Sequence, residues 1–479
     1  MDIVLSILLG LLALFLTVVL VRAALFRPRP LPPIEAVEVT ADRDKIIADM
    51  ADMIRCRTVS HRDYSQEDAA EFERFRQLLV ERFPRVNAAC TRHLLGRNGV
   101  LYHLPGQASD RPTVLMAHYD VVPANQQDWD RPAFDAVIED GEMWGRGTLD
   151  TKSTLCAVME SLEQMLGEGY VPQQDLYLSF SGEEEIDGDS CPAIVSWLEQ
   201  NGVKPALVLD EGGAVVDNVF PGVTGRCALV GVAEKGGLNL SFTLEGKAGH
   251  SSTPPVHTVL GQLSRAVTRI EKKPFRPQMT RPVKEMFDTL GRHSIFPLKI
   301  LFANLWCFRP LLNLVCRLSG GELNALVRTT VATTRMQGSD AYNVLPGKAW
   351  FATNVRLLGE DTIDSAKAYL ERVIADDRIR VEVVNGMNPS AYSRTDCAAW
   401  DTVVTAIRQT WPDALVSPYL MMACSDSRHY CRVSDRVYRF CPMHLSKEQR
   451  GMIHGVNERI PLDTLVQTVE FYLRLLRMI

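Results

Sequence analysis

Five side chains spread along the chain, His118, Asp150, Glu185, Asp210 and His454, are imidazoles and carboxylates of the kind that hold divalent metal ions, and each lies beside a Gly-rich or polar turn. Three follow strand-like apolar runs: Thr113 to Ala117 precedes His118, Leu176 to Ser181 precedes Gly182-Glu183-Glu184-Glu185, and Ala206 to Leu209 precedes Asp210. Strand ends of a parallel sheet aim such groups into one crevice. Two dications about 3.5–4 Å apart need a shared anion to lower their repulsion. Asp150 is the candidate bridge: it ends Gly145-Arg146-Gly147-Thr148-Leu149-Asp150, where glycines permit tight backbone geometry, and Ala157, Val158 and Leu162 follow as a helical face. The implied chemistry is hydrolysis assisted by two zinc ions, with cobalt or manganese able to fill the same oxygen and nitrogen ligands.

Glu183-Glu184-Glu185 is the sharpest local feature, because adjacent carboxylates repel unless cations or water compensate them. A solvated acidic loop is the plainer reading of such a run. After an apolar strand and before Asp187-Gly188, it fits better as one residue binding metal while a neighbour takes a proton from water. Asp120, two residues after His118, points to the same side and can hold the second ring nitrogen.

The elements that must carry these groups follow from length and patterning. The 479 residues predict two folded units; hydrophobic residues at 46% and charged residues at 23% supply an ordinary core. A net charge of -6 gives no nucleic-acid footprint and points to a small-molecule or peptide substrate. Ile3 to Val21 carries no charge, which predicts a transmembrane helix within residues 1–25; Arg22, Arg27 and Arg29 beyond it place the catalytic part in the cytoplasm. Eleven cysteines without a CxxC pair fit a reducing compartment. Pro28, Pro30, Pro32 and Pro33 predict an extended spacer over residues 26–41 that holds the folded part off the bilayer.

Ile46, Ile47, Met50, Met53 and Ile54 mark a first helix, and Phe72, Phe75, Leu78 and Leu79 a second, after which strand-like and helical segments alternate. This predicts an α/β catalytic domain with a mainly parallel sheet over residues 42–232, completed by residues 387–479. Between them, residues 233–386 read as an inserted α+β domain: strand Leu238 to Leu244, helix Val259 to Ile270, a strand ending near Asn354 and Arg356, helix Thr362 to Ala375, and strand Arg380 to Val384. The apolar stretch Ile295 to Leu318, around Trp306 and Phe308, is expected to pack in a core or dimer contact, or to shape an apolar pocket or rest on the membrane; Lys299, Arg309 and Arg317 argue against a second span.

Six segments in order, Leu115 to Pro123, Gly145 to Asp150, Val208 to Gly213, Gly249-His250-Ser251-Ser252, Asn343-Val344-Leu345-Pro346 and Ile453 to Glu458, resemble the co-catalytic zinc peptidase family. That family includes carboxypeptidase S, aminoacylase and succinyl-diaminopimelate desuccinylase, and the resemblance is strongest to its carboxypeptidase S and N-fatty-acyl-amino acid hydrolase branch. It implies that Glu184 is the general base and Glu185 a ligand. It further implies that His118 and Asp210 hold one zinc, Glu185 and His454 the other, with Asp150 between them and Asp120 orienting His118. The inserted domain would act as a lid and dimer surface, its His250 reaching the scissile carbonyl of a neighbouring site, while Arg356 and Asn343 bind substrate. A guanidinium suits a terminal carboxylate because it binds bidentately.

Two departures from the family pattern stand out: Met422-Ala423-Cys424-Ser425-Asp426-Ser427-Arg428 replaces a glycine-containing turn, and Thr151 follows the bridging position. The first is expected to narrow the pocket. His61, His93, His103, His257, His293, His429 and His444 read as structural or solvent-facing. The expected reaction is hydrolysis of an amide next to a free carboxylate, in a peptide or an N-acyl amino acid. Deacylation of a biosynthetic intermediate is the alternative, and a membrane-tethered binding protein the non-enzymatic one.

Overall fold

The computed structural model describes residues 2–219 and 222–479. Its largest sheet has eight strands in the spatial order Thr91–Leu95, Gly99–Leu104, Gln174–Ser181, Ala108–His118, Leu207–Asp217, Val437–His444, Arg226–Glu234, Leu415–Met421. The middle of this sheet is parallel, Ala108–His118 pairing with Gln174–Ser181 and Leu207–Asp217, and the latter with Val437–His444. Toward both edges it turns antiparallel, through Gly99–Leu104 on one side and Arg226–Glu234 on the other. The expected mainly parallel sheet is therefore corrected to a mixed one in an α/β fold. The reason lies in the connections: short turns such as the one between Thr91–Leu95 and Gly99–Leu104 can only join antiparallel neighbours, while parallel ones need crossover connections.

One such crossover is the helix Lys152–Gly167, buried nearly all round because the sheet lies on one side and the helices Arg43–Ile54 and Leu462–Leu476 on the other. Both helices expected near the start form, as Arg43–Ile54 and Ala69–Arg82. A small three-stranded sheet, Arg459–Pro461, Glu142–Trp144 and Val137–Glu139, ties the end of the chain to the loop before Asp150.

A second, fully antiparallel sheet orders Thr330–Gln337, Lys348–Leu357, Gly236–Glu245 and Arg380–Met387, and packs the helices Val259–Lys272 and Ile363–Ile374. It has its own core, in which Phe242 and Phe351 stack at 4.4 Å beside Leu263 and Leu370. The helices Arg281–Arg292, Phe296–Ala303 and Leu305–Ser319 lie in the same stretch of sequence but join the main core instead. Val283, Met286, Phe287 and Leu290 form one helical face, and it is buried with the rest of the main core while the helix packs on strand Leu415–Met421.

The helix Asp2–Leu25 is apolar and exposed over most of its length, and its 23 residues Ile3–Leu25 are long enough to cross a membrane. The proline-rich segment after it is not a free spacer. Arg408 donates to the Pro32 carbonyl, Gln409 to Glu35, Arg474 to Val37 and Gln164 to Thr40, so residues 32–40 run along the body. Proline removes amide donors but leaves carbonyls free, and these arginine and glutamine side chains use them.

Candidate metal centre

The parallel strands Ala108–His118 and Gln174–Ser181 end on one side of the sheet and deliver His118 and the Glu183–Glu185 turn, while Asp210 and Glu211 lie within Leu207–Asp217, just past its pairing with Ala108–His118. Asp150 arrives from the turn before the buried helix Lys152–Gly167, and His454 from the loop between Lys447–Met452 and Arg459–Pro461. The two carboxylate oxygens of Asp150 face different rings: Oδ1 lies 3.0 Å from His118 Nε2 and Oδ2 lies 3.0 Å from His454 Nε2. His454 Nε2 is also 3.0 Å from Glu185 Oε2.

Donor atoms of His118, Asp150 and Glu185 lie within 4.8 Å of one another, and so do those of His118, Glu184 and Glu211. Among the described residues no lysine or arginine forms an ion pair with Asp150, Glu184, Glu185 or Glu211; only the two imidazoles face them. A half-buried group of acids facing one buried and one exposed imidazole, with no cation, fits two hard or borderline divalent ions, whose charge would replace the missing countercharge.

The electrostatics express the same deficit. Burial pushes the Glu184 carboxyl well above its ordinary range, with Glu211, Asp426 and Glu185 adding repulsion against the opposing pull of His118. Burial likewise raises Glu211 to about 8 and Asp426 to about 7. His454 is held up at about 10 by its hydrogen bonds to Asp150 and Glu185. For His118 burial works against the charged ring, but Glu211, Asp120 and Asp150 outweigh it and the ring rises well above its ordinary value.

Asp120 holds the two halves of this site in register. Its Oδ1 accepts the Glu184 N–H and its Oδ2 the Glu185 N–H, both at 3.1 Å, and Oδ2 also accepts the Ser60 hydroxyl at 2.7 Å. The His118 ring meets the Asp120 backbone carbonyl at 3.0 Å through Nδ1, with the carboxylate at 3.4 Å. Asp120 thus orients the ring mainly through its main chain, while its carboxylate caps the acidic turn.

Glu458 was not singled out by the sequence, yet it organises the Asp150 turn. Its buried carboxylate accepts the N–H groups of Gly147, Leu149 and Asp150 and pairs with Arg146 Nη1 at 2.7 Å. Gly147 has φ +91°, the left-handed region in which a Cβ would also meet Val121 at 2.9 Å, so glycine is required there. His454 itself has φ +58°, a conformation costing about 1–2 kcal/mol for a non-glycine residue. The Gly455 N–H to Met452 carbonyl bond and the Glu458 web that follows pin it.

Asp210 and Glu211 point to different partners. Glu211 Oε2 lies 3.5 Å from His118 Nε2, whereas the Asp210 carboxylate accepts the Ser427 N–H at 3.0 Å. Successive strand residues face opposite sides, so only one of an adjacent pair can reach a given ring directly. Glu211 is the site residue not expected from the sequence; an acid directly after a candidate ligand, before Gly212-Gly213, was the available signal. The unusual Met422–Arg428 segment supports this region: Ser425 and Ser427 donate to Glu234, which also pairs with Arg439 at 2.5 Å in a fully buried contact.

Three expected residues are not gathered into the cluster. His250 is exposed on a two-stranded ribbon, Gly249–His250 with Val344–Leu345, and its Nδ1 lies 2.8 Å from the Ser252 hydroxyl. Asn343 is exposed beside it, its carbonyl accepting the Ser251 N–H. Arg356 is exposed on the second sheet, its Nη1 3.8 Å from Cys424 Sγ.

Residues 114–478 match the model of peptidase family M20/M25/M40. The chain belongs to this family. It is 35% identical over 443 residues to the N-fatty-acyl-amino acid synthase/hydrolase PM20D1 of Xenopus tropicalis, covering 91% of this chain and 86% of the relative. It is 33% identical over 413 residues to the probable carboxypeptidase S-like 2 of Dictyostelium discoideum, covering 85% and 79% of the two chains. Its fold is similar to that of the M20 metallo-carboxypeptidase Sso-CP2 of Sulfolobus solfataricus, at a TM-score of 0.66 and 15% identity over 91% of this chain and 99% of that one. One solved M20 structure of similar fold, the YXEP protein of Bacillus subtilis, is a dinuclear metal-binding peptidase, and this chain, as an M20 member, is a metallo-hydrolase of the peptidase and amidohydrolase type.

Proposed function

We propose that this M20 enzyme is a membrane-anchored di-zinc hydrolase that cleaves an amide bond next to a free carboxylate, as in an N-acyl amino acid or a C-terminal peptide bond. The observation that carries the reading is Asp150, whose two oxygens each face an imidazole drawn from opposite ends of the chain. The fatty-acyl-amino acid and carboxypeptidase S-like relatives point to the same class of bond.

His118 would hold one ion with Glu211, which takes the ligand place expected of Asp210, and Glu185 and His454 would hold the other, with Asp150 available to both; Asp210, turned to the Ser427 N–H, would support that half from behind. Two zinc ions there would supply Lewis acidity to the amide carbonyl and make a water acidic near neutral pH, with cobalt or manganese as substitutes. Glu184, half-buried beside His118, takes the water's proton and delivers it to the leaving amine. Arg356 binds the substrate carboxylate, and Asn343, on the ribbon beside His250, is the other substrate-binding residue. His250, exposed in its own chain, serves the site of a second subunit and stabilises the developing oxyanion there; within residues 233–386 the antiparallel sheet and its two helices, without the helices of residues 281–319, act as lid and dimer surface.

The helix Asp2–Leu25 is retained as a single-pass anchor, with the catalytic part on the cytoplasmic side where Arg22, Arg27 and Arg29 lie. Val19 and Ala23 are buried against the body and the Val19 carbonyl accepts the Asn304 amide, so removal of this helix would bare a fitted surface.

The test is turnover of a panel of N-acetyl and N-long-chain-acyl amino acids and dipeptides, alongside Glu184→Gln. Hydrolysis of long-chain N-acyl amino acids with a fall of about 10²–10⁴ in kcat for the variant, metal content unchanged, is the expected result. A preference for an acetylated or succinylated biosynthetic intermediate would replace the substrate assignment, and full turnover by the folded, metal-loaded variant would remove Glu184 as the base.

A further inference from the structure

The bent helical pair Phe296–Ala303 and Leu305–Ser319, the two meeting at 112°, carries the least satisfied apolar surface of the folded body. On the second helix Leu311, Leu314, Val315 and Leu318 follow the i, i+3, i+4, i+7 spacing of one face and all are exposed, Leu318 at 77%. The opposite positions Leu312 and Cys316 are buried in the main core, so the helix is firmly seated and its outward face is apolar by composition rather than by fraying. Trp306 is 58% exposed, and Ile295 and Phe296 extend the patch across the bend.

The occupant of this face is indicated by its neighbour. The helix Asp2–Leu25 packs against Phe296–Ala303; Arg22 donates to the Ala303 carbonyl and to Asn304 Oδ1, and Phe15 meets Trp306 edge-on at 6.0 Å. Phe15 precedes Arg22 by seven residues, about 10 Å of helix. If Arg22 marks the polar boundary of the span, Trp306 is level with a residue that already lies inside the hydrocarbon. Tryptophan favours the outer part of that region, and Arg309 and Arg317, exposed on the same helix, have the length and charge to meet headgroups. The pinned residues 32–40 leave no slack by which the body could swing away.

We infer that the Phe296–Ser319 helical pair is inserted shallowly in the lipid bilayer beside the N-terminal helix, so that the enzyme rests on the membrane in one fixed orientation instead of hanging from a tether. This rests on the reading of Asp2–Leu25 as a retained span and adds a second membrane element to it.

The full chain, reconstituted in phosphatidylcholine vesicles containing phosphatidylglycerol, tests both layers. Flotation with the vesicles reports the anchor. Tryptophan quenching by brominated phosphatidylcholine reports the helical pair, because the anchor helix contains no tryptophan and Trp306→Phe isolates one of the seven present. The expected result is flotation with quenching that Trp306→Phe abolishes and that the surface variant Leu314→Glu/Leu318→Glu diminishes while still floating. Flotation without Trp306-dependent quenching, or quenching unaffected by Leu314→Glu/Leu318→Glu, overturns the inference and leaves the anchor reading standing. Concentration-dependent crosslinking through position 318 in place of quenching would assign the face to a second copy and overturn it likewise. Failure to float removes the anchor reading and this inference with it.

Discussion

Glu458 binds Arg146 across 312 residues of sequence, 2.7 Å between Oε2 and Nη1, in a contact where both side chains are almost wholly buried. The same carboxylate accepts the Leu149 N–H at 2.7 Å and the Asp150 N–H at 3.2 Å. The last tenth of the chain thereby sets the direction in which Asp150 presents its two oxygens, just as His454, four residues earlier, meets one of them.

Removing that carboxylate should therefore cost both stability and metal. Glu458→Ala leaves the Arg146 guanidinium buried without its partner, which is expected to lower unfolding free energy by about 3–5 kcal/mol in urea titrations. Glu458→Gln keeps an acceptor for the backbone amides but loses the charge; it should fold, bind metal about 10–100-fold more weakly, and leave KM nearly unchanged once metal is saturating. Wild-type metal affinity in this variant would show that Glu458 is only a packing residue.

The acidic pair within the strand Leu207–Asp217 separates into two roles. Glu211→Gln, which removes the 3.5 Å neighbour of His118, is expected to reduce metal content from two ions to one per chain, measured by elemental analysis after dialysis. Asp210→Asn, whose carboxylate accepts the Ser427 N–H, should retain both ions with about 10–100-fold weaker binding. The reverse pattern would transfer the ligand role from Glu211 to Asp210.

Metal binding should be strongly dependent on pH. In the metal-free protein Asp150 and Glu185 hold the His454 imidazole at about 10, and Glu211, Asp120 and Asp150 raise His118 despite its burial. Both protons must leave for the rings to coordinate, so apparent affinity should fall by about tenfold per pH unit for each proton displaced as pH is lowered through the neutral range. Competition against a chromophoric chelator at several pH values gives the slope; affinity that does not change with pH would contradict protonated rings in the metal-free site.

Lys152, two residues past Asp150, provides a stability signature of its own. It is fully buried, donates to the Met53 and Cys56 carbonyls, and burial lowers its ammonium to about 8. An unfolded lysine keeps its proton to about 10.4, so between these values the unfolded chain binds more protons and stability should rise with pH, by up to about 3 kcal/mol in total. Below about pH 8 both states are protonated and this contribution is constant. Denaturant midpoints across that alkaline window should show the rise in wild type and lose it in Lys152→Met.

Much of the secondary structure and most of the centre were legible because their signals are local. Helical faces such as Ile46 to Ile54, apolar strands ending at His118 and Ser181, and the glycine-rich turn at Asp150 each declare themselves within about ten residues. What could not be read depends on pairing at long range. Asp120 looked like a partner for a ring and is mainly a cap for the Glu184–Glu185 turn; Glu458 looked like the tail of a motif and is the clamp on Asp150. The proline-rich segment looked free because its own residues offer no apolar face, but its partners are Arg408, Gln409 and Arg474, far along the chain.

By itself the order of residues determined which chemical groups this hydrolase owns, where its strands and helices begin, and that its first helix is apolar enough to enter a membrane, since composition and periodicity are properties of short stretches. Tertiary structure alone decided that the sheet is mixed, that Glu211 rather than Asp210 faces His118, that the helices of residues 281–319 belong to the main body, and that one of their faces is left apolar beside the N-terminal helix. Those outcomes are set by which surfaces meet when the chain closes on itself, and side-chain direction and burial exist only once that closure is made.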